Sequence, residues 1–208
     1  MSHTLHRVAG NDGLIDDYII LVMPASKYNK DETTPAKLGE YLKIIMKHSP
    51  VNMGGMGIGQ LCDGSTLDDM LARLNDDIPM IHAVFDSREN LVKVLKDIKD
   101  AELGLSVIAS GLVDSVDCCA KEIGLKRHSI NYSMGIWGDT SRLPDEKTLQ
   151  IATMCGHAMI SFNLVAKTVE DIRKGKTTAD QAAVELAKFC VCGIFNPVRA
   201  KRLLEEFI

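Results

Sequence analysis

An alternation of strand-like and helix-like segments runs through the first two thirds of this chain and then stops, and it constrains the fold more than any other feature. Short apolar runs rich in branched residues, such as D-D-Y-I-I-L-V-M-P at 16–24, predict buried strands. Apolar residues at i, i+3, i+4 and i+7, such as Leu91, Val94, Leu95 and Ile98, predict helices. Together these patterns predict strands at 16–24, 79–85 and 105–110, and helices at 35–50, 66–74, 88–100 and 114–122.

The order of these segments narrows the fold class. Strands that alternate with helices indicate an α/β or α+β layer. When the glycine-rich segment at 51–64 is set aside as an insertion, we interpret residues 16–110 as the order β-α-β-β-α-β, which contains one strand more than the three that these patterns mark. That order predicts a ferredoxin-like split fold, and an open mixed or doubly wound sheet is the alternative.

The pattern changes in the last third of the chain. One more strand is predicted at 128–134, where apolar side chains alternate on one face. Beyond Gly138 only helical patterns remain. We therefore place a boundary near residue 140, with an α/β domain at 1–140 and a helical, cysteine-containing domain at 141–208.

Composition and charge exclude several classes of function. The formal net charge is -4 and lysine and arginine do not cluster, so no surface favours nucleic acid. No apolar run approaches the length of a membrane span, and a secretory signal is not apparent, so we expect a cytoplasmic protein. Hydrolase chemistry lacks support because no G-x-S-x-G motif is visible. The adjacent Asp16 and Asp17 are explained by caps or a solvated turn.

The glycine-rich segment, V-N-M-G-G-M-G-I-G-Q-L-C-D-G at 51–64, is predicted to be irregular. Gly55, Gly57 and Gly59 alternate, so the segment matches neither the G-x-G-x-x-G dinucleotide fingerprint nor the Gly-Lys-Ser/Thr of a phosphate-binding loop. A flexible connector or a close backbone crossing is therefore the favoured interpretation. If the α/β part binds a small anion or cofactor, these glycines are the first candidates. Trp137, the only tryptophan, is a candidate for lining a pocket between the sheet and the helical part.

Three of the six cysteines form the strongest candidate site. Cys155 lies in M-C-G-H, and Cys190 and Cys192 lie in F-C-V-C-G-I-F-N-P, both at predicted breaks between helices. In a reducing compartment clustered cysteines more often indicate metal or redox chemistry than disulfides. Three thiolates need a fourth ligand for a closed zinc site or a cubane cluster, and His157 or Cys119 would complete the set.

His157 can share an ion with Cys155 only if the backbone between them is not a regular helix. In a regular helix Cys155 and His157 would point about 200° apart and could not share an ion. Gly156 between them makes a local break plausible. A shared site therefore requires the helix to stop at this point.

Several functions remain open for these cysteines. Thiolate-rich ligation suits an iron–sulfur cluster or zinc, and the ratio of cysteine to histidine favours iron–sulfur, with a role in electron transfer beside a redox partner protein or small molecule. The alternative is a non-catalytic module that senses a ligand or forms a homodimer by sheet pairing, with structural cysteines. A third interpretation is a thiol–disulfide couple between Cys190 and Cys192.

A resemblance supports treating these motifs as one unit. The stretches M-C-G-H-A-M-I-S at 154–161 and F-C-V-C-G-I-F-N-P-V-R-A at 189–200, with T-L-H-R at 4–7, resemble a pattern in uncharacterised prokaryotic proteins that have no established activity. The resemblance covers roughly the last quarter of the chain. It implies that the cysteines, His157 and Asn196 act together, and it supplies no reaction.

Overall fold

A five-stranded antiparallel sheet forms the centre of the computed structural model, which describes residues 4–10 and 14–208. The strands lie in the order β3-β2-β4-β1-β5, and every neighbouring pair is antiparallel. The strands are β1 (Tyr18–Met23), β2 (Asn52–Gly55), β3 (Gly59–Gln60), β4 (Ile81–Phe85) and β5 (Ser106–Ser110).

Eight helices cover the sheet among the described residues. Each of the longer ones has the apolar stripe that its sequence predicts, and most begin at a side-chain cap such as Thr66, Ser87 or Ser161. The helices are α1 (Thr34–Met46), α2 (Leu67–Ala72), α3 (Arg88–Ala101), α4 (Val113–Glu122), α5 (Glu146–Ala152), α6 (Phe162–Arg173), α7 (Ala179–Lys188) and α8 (Pro197–Glu205).

The connections confirm the predicted fold class. The unit β1-α1-β2 joins two parallel strands with β4 between them, and β4-α3-β5 joins two parallel strands with β1 between them. This is the split arrangement of the ferredoxin-like fold. The short strand β3 extends the sheet beyond β2 as the second arm of a hairpin.

Alternation along β1 divides the protein into two layers on opposite faces of the sheet. Ile20 and Val22 face one hydrophobic core, which α1, α3 and α4 cover; we call this the N-terminal layer. Ile19 and Leu21 face a second core, built from α5, α6, α7 and α8; we call this the C-terminal layer. The helical segment after residue 140 therefore shares its core with the sheet.

The glycine-rich segment is not the irregular insertion that the sequence predicts. It contains β2, β3 and a 3₁₀ turn at Leu61–Asp63, and β2 supplies the second strand of the ferredoxin-like order. The residues of β2 are buried although two of its four residues are glycine. Glycine lacks the branched or aromatic character that marks a strand in a sequence, so the pattern gave no signal.

The strand predicted at 128–134 is also wrong, because this segment has no regular secondary structure. Its alternating apolar side chains are exposed, with Tyr132 59% and Met134 76% accessible. A period of two predicts a strand only where one face is buried, and no face of this segment is buried.

The predicted interruption of the helix near Gly156 is confirmed. Helix α5 ends at Ala152 and α6 begins at Phe162, with turns between them. Among the residues that the structure describes, no helix is both long and apolar enough to cross a membrane.

Candidate cysteine site

Two connections in the C-terminal layer bring four of the predicted site residues together. The turn between α5 and α6 carries Cys155 and His157, and the turn between α7 and α8 carries Cys190 and Cys192. The Sγ atom of Cys192 lies 3.2 Å from Nδ1 of His157. The thiol of Cys190 is hydrogen-bonded to the sulfur of Cys155.

The cysteine side chains of this cluster are almost inaccessible to solvent. Cys155 is 2% exposed, Cys190 0% and Cys192 4%, and all three belong to the core of the C-terminal layer. All six cysteines are free thiols. We call Cys155, His157, Cys190 and Cys192 the cysteine site.

Hydrogen bonding makes one of the three thiols acidic. The Cys190 thiol, and then the backbone N–H groups of Met159 and His157, donate to the Cys155 sulfur and lower its pKa to about 6. The same bond, together with burial, raises the pKa of Cys190. Burial, with a contribution from the Cys155 charge, raises the pKa of Cys192 to about 11. The cluster therefore holds one thiolate and two thiols near neutral pH.

The β2–β3 hairpin supports the turn that carries Cys190 and Cys192. Nε2 of Gln60 donates to the carbonyl oxygens of Ala187 and Cys190, each at 3.1 Å. Asn52 donates to Oε1 of Gln60 at 2.8 Å and to the Phe195 carbonyl at 3.3 Å. The Ala187 and Cys190 carbonyls also accept the backbone N–H groups of Cys190 and Gly193, each at 2.9 Å, so the Gln60 amide gives each of them a second hydrogen bond and ties the turn to the hairpin.

The α7–α8 turn and the glycine-rich segment approach each other closely at Gly193. A Cβ atom on Gly193, which has φ +74°, would lie 3.1 Å from the backbone nitrogen of Gly54 in β2. The glycine-rich segment and the C-x-C-G motif are thus parts of one contact. This close backbone crossing accounts for the glycine at 193. Gly54 itself is crowded by its hairpin partner, because a Cβ atom there would lie 2.1 Å from the Gly59 carbonyl oxygen.

The other glycines that the sequence proposed as a cofactor site shape the hairpin. Gly57 and Gly59 have φ of +93° and +91°, which the tight turn between β2 and β3 requires. A Cβ atom on Gly55 would lie 2.9 Å from the Met80 carbonyl oxygen. Their role in binding an anion or cofactor stays a prediction.

Cys119 and Trp137 are not brought to the cysteine site. Cys119 lies on α4 in the core of the N-terminal layer, on the opposite face of the sheet. Trp137 is 79% exposed, and its indole N–H donates to the Met134 carbonyl at 2.6 Å. Of the two proposed fourth ligands, only His157 therefore adjoins the three cysteines.

Sequence reasoning missed a buried polar cluster beside the site. Asp17 is fully buried rather than part of a solvated turn, and its carboxylate accepts hydrogen bonds from Arg7 and from Nδ2 of Asn196. Asn196 also caps α8 through the backbone N–H of Arg199. The only sequence signal for this cluster was the resemblance, which grouped residues 4–7 with Asn196.

Within residues 4–10 and 14–208, no group of three or more His, Cys, Asp or Glu side chains is arranged so that it could hold a metal ion as it stands. No protein-family model, curated protein or solved structure matches this chain. The residues themselves therefore carry any argument about function.

Proposed function

We propose that the cysteine site binds a single metal ion, zinc, through Cys155, Cys190, Cys192 and His157. The observation that carries the proposal is the convergence of these four side chains from two separate turns, with the three cysteines buried and His157 on the exposed side of the cluster. Three thiolates and one imidazole are a common ligand set for structural zinc.

The separation of the side chains favours one ion over a cubane cluster. Tetrahedral zinc holds a sulfur ligand at about 2.3 Å and a nitrogen ligand at about 2.0–2.1 Å, so the two atoms lie roughly 3.6 Å apart. The Cys192 sulfur and the His157 nitrogen are 3.2 Å apart. Both contacting pairs would have to rotate their side chains toward one point, because no three of these groups are arranged to hold an ion as they stand, whereas a four-iron cluster needs wider spacing between its ligands.

A zinc ion with four protein ligands would have no open position for a substrate. Such closed sites stabilise structure, and their binding free energy contributes to folding. Here the ion would join the α5–α6 turn to the α7–α8 turn. An electron-transfer role requires an iron–sulfur cluster instead, and metal analysis distinguishes the two.

A second function, a thiol–disulfide couple, is favoured by one specific contact. The two cysteines joined by a hydrogen bond are Cys155 and Cys190, rather than the Cys190 and Cys192 pair that the sequence suggested. The Cys155 thiolate would attack a disulfide of a partner molecule, and Cys190 would then displace that partner as a thiol. The two cysteines lose two electrons to form one S–S bond, and the partner disulfide is reduced.

The test is metal analysis of protein purified without oxygen, with Co²⁺ titration as a spectroscopic probe. We expect one zinc per chain and, after exchange, the absorption bands of tetrahedral thiolate-bound Co²⁺. The double substitution Cys190→Ser with Cys192→Ser should abolish both signals. Cys119→Ser, an equally buried cysteine on the other face, is the matched control and should retain them.

Any other result of the metal analysis leads to a different conclusion about the cysteine site. Full metal retention in the double variant, or neither bound metal nor Co²⁺ bands in the reduced wild type, overturns the zinc proposal. Several irons per chain with broad absorption would replace zinc by an iron–sulfur cluster. Absence of metal together with a reversible Cys155–Cys190 disulfide would select the thiol–disulfide function.

A further inference from the structure

The buried side chain of Arg7 lies against both turns that carry the cysteine site. Its side chain is 2% exposed although it belongs to the short N-terminal segment at 4–10. One terminal nitrogen donates to the carboxylate of Asp17, and the other donates to the carbonyls of Met154 and Ile194. One guanidinium therefore contacts three separate parts of the chain.

The two carbonyls are placed beside the cysteines. Met154 immediately precedes Cys155, and its carbonyl oxygen lies 3.2 Å from the Arg7 nitrogen. Ile194 follows Cys192 by two residues in the other turn. Because a guanidinium is planar and rigid, a hydrogen bond to each carbonyl limits how far apart the two turns can move.

Asp17 anchors this guanidinium to the rest of the fold. It is fully buried, directly precedes β1, and also accepts a hydrogen bond of 3.0 Å from Asn196, the N-cap of α8. The restraint thus extends from the central strand through Arg7 to both cysteine turns.

We infer that Arg7 is a positioning residue that sets the separation of the two cysteine turns. This inference rests on the proposed function for its metal readout, but it also makes a claim about the metal-free protein. Without the Arg7 bridge, Cys155 and Cys190 would be held less often in contact. Residues that orient metal ligands from outside the coordination sphere typically change metal affinity 10–100-fold.

A simple Arg7→Met substitution tests this poorly, because it leaves the Asp17 carboxylate buried without its main partner and destabilises the fold. The first variant is Arg7→Met combined with Asp17→Asn, which removes both charges of the pair but also takes the carboxylate from the buried Arg199, 3.6 Å away, so its fold is checked before it is used. Arg7→Lys is the second variant, since it keeps a positive charge beside Asp17 without the planar, two-edged donor geometry. Arg88→Met is the control, because Arg88 pairs with Glu122 at 2.8 Å on the surface of the N-terminal layer, on the other face of the sheet from the cysteine turns.

Two measurements on each full-length variant separate positioning from general stability. The first is zinc affinity by competition with a chromophoric chelator at a temperature where circular dichroism shows the fold intact. The second is the rate of Cys155–Cys190 disulfide formation with diamide in zinc-free protein, followed by peptide mass spectrometry. Diamide accepts the two electrons and two protons that the thiols lose.

We expect the folded double variant to bind zinc about 10–100-fold more weakly and to form the disulfide at least several-fold more slowly. Arg7→Lys should lie between it and the wild type, and Arg88→Met should match the wild type in both measurements. If the wild type binds no zinc, the proposed function fails and the disulfide rate still decides the role of Arg7. Wild-type values in both measurements for the folded double variant, or for Arg7→Lys if the double variant does not fold, would overturn the inference.

Discussion

The two layers that cover the sheet bury different kinds of side chain. The core of the N-terminal layer is aliphatic and aromatic, with Leu42, Val94 and Phe85 fully inaccessible. The core of the C-terminal layer is as apolar at its centre, yet its edge buries polar and charged residues: Arg7, Asp17, Asn52, Gln60, Gln150, Asn196 and Arg199. Burying polar groups lowers stability unless each finds a partner, so stability alone does not explain this set. The hydrogen bonds of Arg7 and Gln60 end on the turns of the cysteine site. Arg199 instead donates to the Val8 and Ala9 carbonyls and to Gln150.

The same contrast separates two buried cysteines. Cys119 in the N-terminal layer and Cys155 in the C-terminal layer are 0% and 2% exposed. Burial raises the pKa of Cys119, as expected for a thiol that fills space. Donors around Cys155 overcome the same effect and lower its pKa. Donor groups around a thiol, rather than its burial, therefore distinguish the candidate functional cysteine.

The largest test of this comparison is Asp17→Ala. Removing this carboxylate leaves Arg7 buried without its anionic partner, so we expect a loss of about 3–5 kcal/mol in the free energy of unfolding. The matched control is Asp117→Ala on α4, whose carboxylate pairs with Lys121 at the surface of the N-terminal layer. That change should cost at most about 1 kcal/mol. Urea denaturation of both variants measures the difference, and equal losses would contradict the contrast between the layers.

A smaller effect is expected from Gly193→Ala. Both Gly193 and Gly175 have a positive φ, +74° and +69°, so alanine at either position is strained by roughly 1–2 kcal/mol. Only at Gly193 would the new Cβ also contact strand β2, at 3.1 Å from the nitrogen of Gly54. We expect Gly193→Ala to cost about 1 kcal/mol more than Gly175→Ala.

Thermal unfolding of the two alanine variants gives this difference directly, with Gly175→Ala as the control for backbone strain. Zinc affinity of the two variants sharpens this comparison, because only Gly193→Ala should alter zinc binding. Identical melting temperatures would show that β2 and the cysteine turn do not constrain each other.

The sequence predicted those elements that follow from local periodicity. β1, α1, β4, α3 and β5 were found because their apolar residues repeat at the period of a strand or a helix. The glycine strand β2 was missed because a Cβ atom on Gly54 or Gly55 would collide with the Gly59 or Met80 carbonyl oxygen, and such a contact leaves no periodic trace. The strand predicted at 128–134 was wrong for the converse reason. Its apolar residues alternate locally, but no neighbouring strand among the described residues pairs with this segment.

The cysteine site was predicted in part for similar reasons. Spacing at helix breaks identified Cys155, His157, Cys190 and Cys192, but it did not distinguish His157 from Cys119 as the fourth member. Only the assignment of α4 to the opposite face of the sheet makes that distinction. Arg7 contacts Met154 across 147 residues of sequence, and no local pattern marks such a contact.

The smallest perturbation is a change of pH, which compares the two buried cysteines without altering a residue. The thiolate is the reactive form, so the alkylation rate of each cysteine rises about tenfold per pH unit below its pKa and levels off above it. With a pKa of about 6, Cys155 should react faster from pH 5 to about pH 7 and then reach a plateau. Cys119, whose pKa burial raises above the ordinary 9.0, should continue to accelerate over the whole range up to pH 9. Iodoacetamide labelling of the zinc-free protein between pH 5 and pH 9, resolved by peptide mass spectrometry, measures both curves at once. The reagent concentration is kept low enough that opening and closing of the fold are fast relative to alkylation, so that opening scales the two rates and leaves their pH profiles intact. Parallel curves would mean that the donors around Cys155 do not stabilise its thiolate, and the contrast between the two layers would then extend no further than their polar contacts.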